Sequence, residues 1–288
     1  MKKILFLFSF LFALNLYAQQ DLKWLKIKKY KVATLSDSLK ETSGLTFFRE
    51  KLYTINDGGN SSEVFEIDKS SGKILKTIKT GLQNHDWEAI ASDSLHLYTG
   101  DFGNNVGTRT DLRIYKIPFE NSGETKIISF FYPEQKDFSR KVLKTDFDAE
   151  ALLILNGKIH VFTKEWSSRS TTHYVLNPEF TENQAAEKTE SFKTGFFVTD
   201  AAYLQGKLYL IGYTKNTEVF LSVFDETEPG VFFKEQPRKY YLGSSLVIGQ
   251  IEGIAVDESG IYISGEEFRT PLGTAKQAFY FIPADKFR

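Results

Sequence analysis

Four acidic residues and one serine recur at matching places along this chain. The phrase is an acid or serine, then a small residue, then an apolar one. It reads Ser43-Gly44-Leu45, Glu88-Ala89-Ile90, Glu150-Ala151-Leu152, Asp200-Ala201-Ala202 and Glu252-Gly253-Ile254. Brought to one point, such oxygens bind a cation. Two carboxylates about 5 Å apart repel by roughly 3 kcal/mol at an effective dielectric near 20, so three or four in a ring either take up protons or hold a metal ion. An all-oxygen set in a chain without cysteine points to a hard cation. Ca²⁺ suits a loose ring of carboxylates and waters, with Mg²⁺ as the alternative. Ser43, Glu88, Glu150, Asp200 and Glu252 are therefore the expected metal ligands. In the fourth copy the turn to the next strand is one residue shorter, and an ungapped alignment puts Thr199 there instead. The ordinary alternative for these acids is a hydrogen bond to neighbouring backbone, or to Arg and Lys at the channel mouth.

Two residues before each phrase stand Glu41, Asp86 and Asp148, with Val198 and Gln250 in the last two copies. Side chains two apart on a strand share a face, so Asp86 and Asp148 are expected to hold metal-bound water or a substrate. Asn, Asp and Gly crowd the loops after the second strand-like runs, as in Asn56-Asp57-Gly58-Gly59-Asn60 and Asp101-Phe102-Gly103-Asn104-Asn105. Turn chemistry alone explains that composition. Adjacent strands run antiparallel, however, and this puts the loops at the rim where the acids begin. Asp57 and Asp101 thereby become catalytic candidates that orient a water. Asn56, Lys164, Tyr213 and Glu266 become candidates for substrate contact, with Glu165 and Glu267 beside them. Lys164, Lys215, Arg109 and Arg169 supply positive charge for a phosphate or carboxylate group. His85, His96, His160 and His173 occupy unrelated repeat positions, which argues against zinc, and no Ser-His-Asp or Cys-His signature is recognisable.

The elements that must position these residues follow from the spacing. Copies lie 45, 62, 50 and 52 residues apart. Each is followed by a second β-rich run: KLYTIND (51–57), HLYTGDF (96–102), KIHVFTK (158–164), KLYLIGY (207–213) and GIYISGE (260–266). Third runs read VFEID, RIYKI, THYVL, VFLSV and AFYFI, and fourth runs KILKTIKT, KIISFFY, KTESFKT and RKYYL. Apolar residues alternate with a period of two, and about four strands per 50 residues is the mark of a propeller blade. The prediction is an all-β, five-bladed β-propeller of four-stranded antiparallel blades. The fifth unit lacks a fourth strand, and 26–35 near the N-terminus supplies it, closing the ring and removing a free sheet edge. A sixth blade hidden in the 62-residue interval is the alternative.

Residues 1–18 read as a secretory signal peptide, with two lysines, a Phe/Leu-rich stretch and an A-x-A-like end. One domain, 19–288, is expected to be periplasmic or extracellular, with no lipid anchor because no cysteine follows the leader. The formal charge of -1 becomes -3 once Lys2 and Lys3 are removed, which argues against a nucleic-acid partner. A small, anionic molecule is the expected partner. Oligomeric state has no sequence signal. With no disulfide available, the 26 Phe and 14 Tyr of the chain must fill the blade-to-blade core.

The order Ser, Glu, Glu, Asp, Glu over five units resembles the calcium-activated nucleotidase (apyrase) family, a five-bladed propeller whose channel Ca²⁺ is held by serine and glutamate. SGLTFFREKLYTINDGGNSSEVFEI (43–67) is similar to the family's first blade and IEGIAV (251–256) to its last. The resemblance covers the repeat cores and implies Ser43, Glu88, Glu150 and Glu252 as ligands, with Asp57 or Asp101 holding a water or the substrate. Asp200 stands where the family has a second serine, and Gly58-Gly59-Asn60 replaces its Arg-containing turn. EGIAV is also similar to strand heads of gluconolactonase-like and esterase-like-phytase propellers, mostly six-bladed. The leading expectation is a secreted metal-dependent hydrolase of phosphoanhydrides or phosphoesters. The alternatives are a lactonase or esterase, and a non-catalytic ligand- or protein-binding propeller with structural calcium. Fold alone does not choose among them.

Overall fold

Every three-letter phrase lies in the innermost strand of a four-stranded sheet, and the five sheets form a ring. The computed structural model describes residues 22–119, 123–271 and 273–287; the leader expected at 1–18 lies outside the described residues. Blade 1 comprises Thr42–Phe48, Lys51–Asn56, Glu63–Ile67 and Ile74–Lys79, each antiparallel to the next. Blade 2 comprises Trp87–Ser92, His96–Asp101, Arg113–Pro118 and Lys126–Phe131. Blade 3 follows with Asp148–Leu155, Lys158–Lys164, Thr171–Leu176 and Glu187–Phe192, and blade 4 with Phe197–Leu204, Lys207–Tyr213, Glu218–Asp225 and Arg238–Ser244. Blade 5 takes Gln250–Asp257, Gly260–Glu266 and Ala278–Pro283 from the C-terminal end, and Lys31–Thr34 from the N-terminal end.

The ring closes as expected, but with a shorter strand. Lys31–Thr34 pairs antiparallel with Ala278–Tyr280, while Ile27–Tyr30 forms a 3-10 turn. Within that turn Ile27 buries completely in the layer between blades 4 and 5. Leu22–Trp24 adds a parallel fifth strand to blade 4, and Gln184–Ala185 caps blade 2 in the same way. Among its described residues the long second interval contains no sixth blade. Its extra length lies in loops at 102–112 and 132–147, between and beyond strands that belong to blade 2.

Blade-to-blade packing supplies the core. Among the described residues five buried apolar clusters occur, one at each junction, such as Phe48, Tyr53, Trp87 and Tyr115 between blades 1 and 2. Ala151, Phe162, Val198 and Leu210 fill the junction of blades 3 and 4.

Every inner strand carries a β-bulge inside or beside its phrase. Pairing skips Gly44, Glu88, Glu150, Thr199 and Glu252 respectively. An extra residue bends the strand and re-aims its side chain, which is how three glutamates escape the flat pleat. Gly44 adopts φ +69°, and a Cβ there would lie 2.8 Å from the Ile90 nitrogen. Inner strands near the axis run too close for a larger residue, hence the small second letter of the phrase. The fourth bulge falls on Thr199, so Asp200 is one position out of step with the three glutamates.

Candidate metal and ligand site at the channel mouth

First strands begin and second strands end at one rim of the ring, and the acids gather there. Asp57, Asp86 and Glu88 each offer a carboxylate oxygen within 4.8 Å of the others. They come from two neighbouring blades. Asp57 follows the second strand of blade 1, its N–H donating to Glu41 O at 2.9 Å and its carbonyl accepting from Asn84 Nδ2 at 2.9 Å. Asp86 precedes the first strand of blade 2, its N–H donating to Asp101 Oδ1 at 3.1 Å. Glu88 is that strand's bulged residue. Glycines make the room. A Cβ on Gly58 would sit 2.6 Å from Asp86 Oδ1, and one on Gly103 would overlap Asp86 Oδ2 and Glu88 Oε1. The glycine-rich loops therefore cradle the acids as well as turning the chain.

Across the mouth, blades 3, 4 and 5 contribute a second group. Lys164 Nζ pairs with Glu150 Oε1 and donates to Tyr213 Oη at 3.1 Å. It lies 4.9 Å from the Trp166 ring centroid and 5.1 Å from that of Tyr213, a cation–π arrangement. Glu150 Oε2 is buried and has no hydrogen-bond partner. Gln250 Nε2 bridges Glu252 Oε1, at 2.7 Å, and Glu266 Oε1.

Burial governs the charge of these groups. Glu88, Glu150 and Glu252 are 8, 6 and 7 % exposed. Loss of water, then the Asp57 charge, pushes Asp86 up to about 7 and Glu88 well above the usual carboxylate range. Asp57 rises to about 6 through burial, partly opposed by the Gly58 N–H. Burial also raises Glu150 well above its ordinary value, and Glu252 to about 8, in both cases against the opposing pull of Lys164. Glu266 reaches about 8 by burial and the Asp57 charge. Six carboxylates around one ammonium, unmatched in charge and all oxygen, are chemically suited to a hard divalent cation. The orphaned Glu150 Oε2 is the kind of buried acceptor that a ligand would satisfy.

Several sequence-expected residues serve the frame instead. Asp200 is fully buried and accepts from the N–H groups of Ile254 at 2.7 Å, Ala201 at 2.8 Å and Leu45 at 3.1 Å. It braces blades 1, 4 and 5, with no oxygen left aimed at the acid cluster. Ser43 Oγ donates to Glu88 O at 2.8 Å, tying blade 1 to blade 2. Thr199 Oγ1 makes the matching tie to Ile251 O at 2.8 Å. Asp148 accepts from Asn104 N at 2.6 Å, Trp166 Nε1 at 2.7 Å and Ala149 N at 3.1 Å. Asp101 pairs with Arg109 at 3.0 Å and also takes the Asp86 N–H. Asn56 Nδ2 donates to Ser38 O at 2.8 Å, while its Oδ1 is buried without a partner. Glu165 is held by Thr163, Thr172 and Ser168, and Glu267 by Arg269 and Lys276. His160 and His173 face each other at 2.8 Å in blade 3, away from the acids. Sequence reasoning missed Trp166. Its one signal was an aromatic two residues beyond Lys164, where the second strand ends.

No protein-family model and no curated protein matches the sequence. Among solved structures, the chain is similar to Kuenenia stuttgartiensis hydrazine synthase at 12 % identity over 87 % of this chain and 68 % of that one, TM-score 0.41. The tail fibre of Staphylococcus aureus phage P68 aligns at 9 % identity over 91 % of this chain and 55 % of that one, TM-score 0.47. The β-propeller domain of Myceliophteria thermophila Cps50 (Swd1) aligns at 9 % over 88 and 99 %, TM-score 0.44. Scores this low carry no argument; the five-bladed fold rests on the strand pairing above.

Proposed function

We propose that this propeller binds a divalent cation, Ca²⁺ before Mg²⁺, at its acidic channel mouth and there hydrolyses a small anionic phosphoanhydride or phosphoester. The observation that carries the reading is the convergence of Asp57, Asp86 and Glu88 within 4.8 Å, in a cradle that two glycines keep open. These three residues would hold the ion, with Glu150 facing it from the other side. When bound, the ion would neutralise charge on phosphoryl oxygens and polarise the phosphorus centre. At the opposite wall the Lys164 ammonium, paired with Glu150, holds the Tyr213 hydroxyl at 3.1 Å, and that hydroxyl is suited to orienting the substrate. Of the two acids expected to orient a water, Asp101 is committed to Arg109, which leaves Asp57, as a ligand of the ion, to hold that water beside it. The leader expected at 1–18 makes this a periplasmic or extracellular activity. No helix among the described residues is long and apolar enough to cross a membrane.

One observation favours a second reading, a non-catalytic binding propeller with structural calcium. Both Asp101 and Asp148 are saturated by protein donors, which thins the set of free bases.

The test uses the EGTA-stripped protein. Calorimetry should detect Ca²⁺ binding that Asp86→Asn and Glu88→Gln each weaken at least tenfold. Phosphate release from pyrophosphate, nucleoside diphosphates and p-nitrophenyl phosphate should then require Ca²⁺. Binding without turnover would select the second reading. No Ca²⁺ or Mg²⁺ binding at all would remove both.

A further inference from the structure

On a rim otherwise crowded with acids, one cleft is positive. It lies between blades 3 and 4, where the loop after Lys158–Lys164, the entry to Phe197–Leu204 and the turn after Lys207–Tyr213 meet, and it encloses about 170 Å³. Arg169, Lys215, Asn216 and Glu218 line it, with Phe197 as a wall. Among the described residues, neither the Arg169 guanidinium nor the Lys215 ammonium has a carboxylate partner; Lys215 only overlies the Phe197 ring at 5.9 Å. Nearby, Lys239 lies over the Phe196 and Phe220 rings, its Nζ bound to Thr194 O at 2.7 Å. Glu218 is the single acid present, and it accepts weakly from Thr214 Oγ1 at 3.4 Å.

The cleft has a rigid frame. Arg169 holds a left-handed backbone with φ 56°, and its carbonyl accepts from Gly195 N at 3.0 Å and Thr194 Oγ1 at 3.2 Å. The turn opposite is closed by Thr214 N to Glu218 O at 2.8 Å and Thr217 N to Thr214 O at 2.9 Å. The backbones that carry the two exposed cations and the Asn216 amide are thus fixed, and these side chains are the donor types that an oxyanion requires.

We propose that this cleft is an oxyanion-binding subsite, taking a phosphate or carboxylate group between Arg169 and Lys215. Its wall, Phe197, is 1 % exposed, and the ring packs 4.5 Å from Trp166 and 6.2 Å from Tyr213. This aromatic layer separates the cleft from Lys164 and Glu150, so oxyanion binding stands on the cleft alone.

Inorganic phosphate and succinate are titrated calorimetrically into the EGTA-stripped protein, its Arg169→Gln/Lys215→Gln variant and Asp86→Asn. All three are first matched by circular dichroism, which exposed substitutions should leave unchanged. The expected result is phosphate or succinate binding without Ca²⁺, weakened at least tenfold by the double variant and kept by Asp86→Asn; which anion binds tighter identifies the phosphate or carboxylate preference. Equal binding by the double variant, or no binding by the stripped protein, overturns the subsite while leaving Ca²⁺ binding at the acids intact.

Discussion

Lys164 meets Glu150 where almost no water reaches, so neither charge tolerates the loss of the other. Removing one partner of a buried pair typically costs about 3–5 kcal/mol, because an uncompensated charge stays behind. Lys164→Met should lower the denaturation free energy by that order, and the Lys164→Met/Glu150→Gln pair should recover most of it, a coupling that a double-mutant cycle in urea measures. A second residue-scale effect lies far from the mouth. His160 is held down to about 4 by burial and the neighbouring His173, and His173 Nδ1 lies 3.2 Å from Glu190 Oε1. An unfolded histidine titrates near 6.5, so between that pH and about 4 the unfolded chain binds the extra proton. Stability from this group is complete above about pH 6.5 and lost as pH falls to about 4, by roughly 3 kcal/mol in total. His160→Asn should remove that part of the slope, seen as the difference between the two proteins in denaturation midpoints from pH 7 to pH 4. Identical slopes would refute it.

At the scale of elements, the inner strands decide what converges. The five phrases were legible because a propeller repeats one strand five times, and their spacing also revealed the second, third and fourth strands. Asp200 was misplaced for a local reason: the turn to the second strand of blade 4 is one residue shorter, and the bulge falls on Thr199, where the ungapped alignment puts it. Its carboxylate instead receives three backbone N–H groups from three blades. Asp200→Ala leaves these donors buried and unmatched, and at about 1–3 kcal/mol each the variant should lose several kcal/mol of stability without a direct loss of Ca²⁺ ligands. Thermal melting against Ca²⁺ concentration checks this, since a true ligand would lose the calcium-dependent shift. The Asp57–Asp86–Glu88 cluster was only half legible. All three residues were singled out, but in separate roles, because their meeting depends on the end of one blade touching the start of the next. Gly103 makes a further test. Gly103→Ala puts a methyl group onto Asp86 and Glu88 and should weaken Ca²⁺ binding at least tenfold by calorimetry, while far-UV circular dichroism stays unchanged.

For the whole molecule, the ring depends on a seam. Lys31–Thr34 shields the outer edge of Ala278–Pro283 in blade 5, and an uncovered strand edge is a template for pairing with other chains. Deleting residues 19–35 should convert a well-behaved protein into dimers or larger species on size-exclusion chromatography, with a lower melting temperature. A monomer of unchanged stability would show that the seam is dispensable. Composition made the absence of disulfides clear, and the five interblade layers show what replaces them: aromatic and branched side chains facing each other at every junction.

That seam also imposes an order of events. Lys31 and Tyr280 are paired although they lie far apart in the sequence, so Lys31–Thr34 finds its mate only after Ala278–Pro283 has been made. Contacts this distant form late and slowly. Until Ala278–Pro283 emerges, Lys31–Thr34 has no strand to close against, and that distant segment decides whether the five blades are locked into a circle.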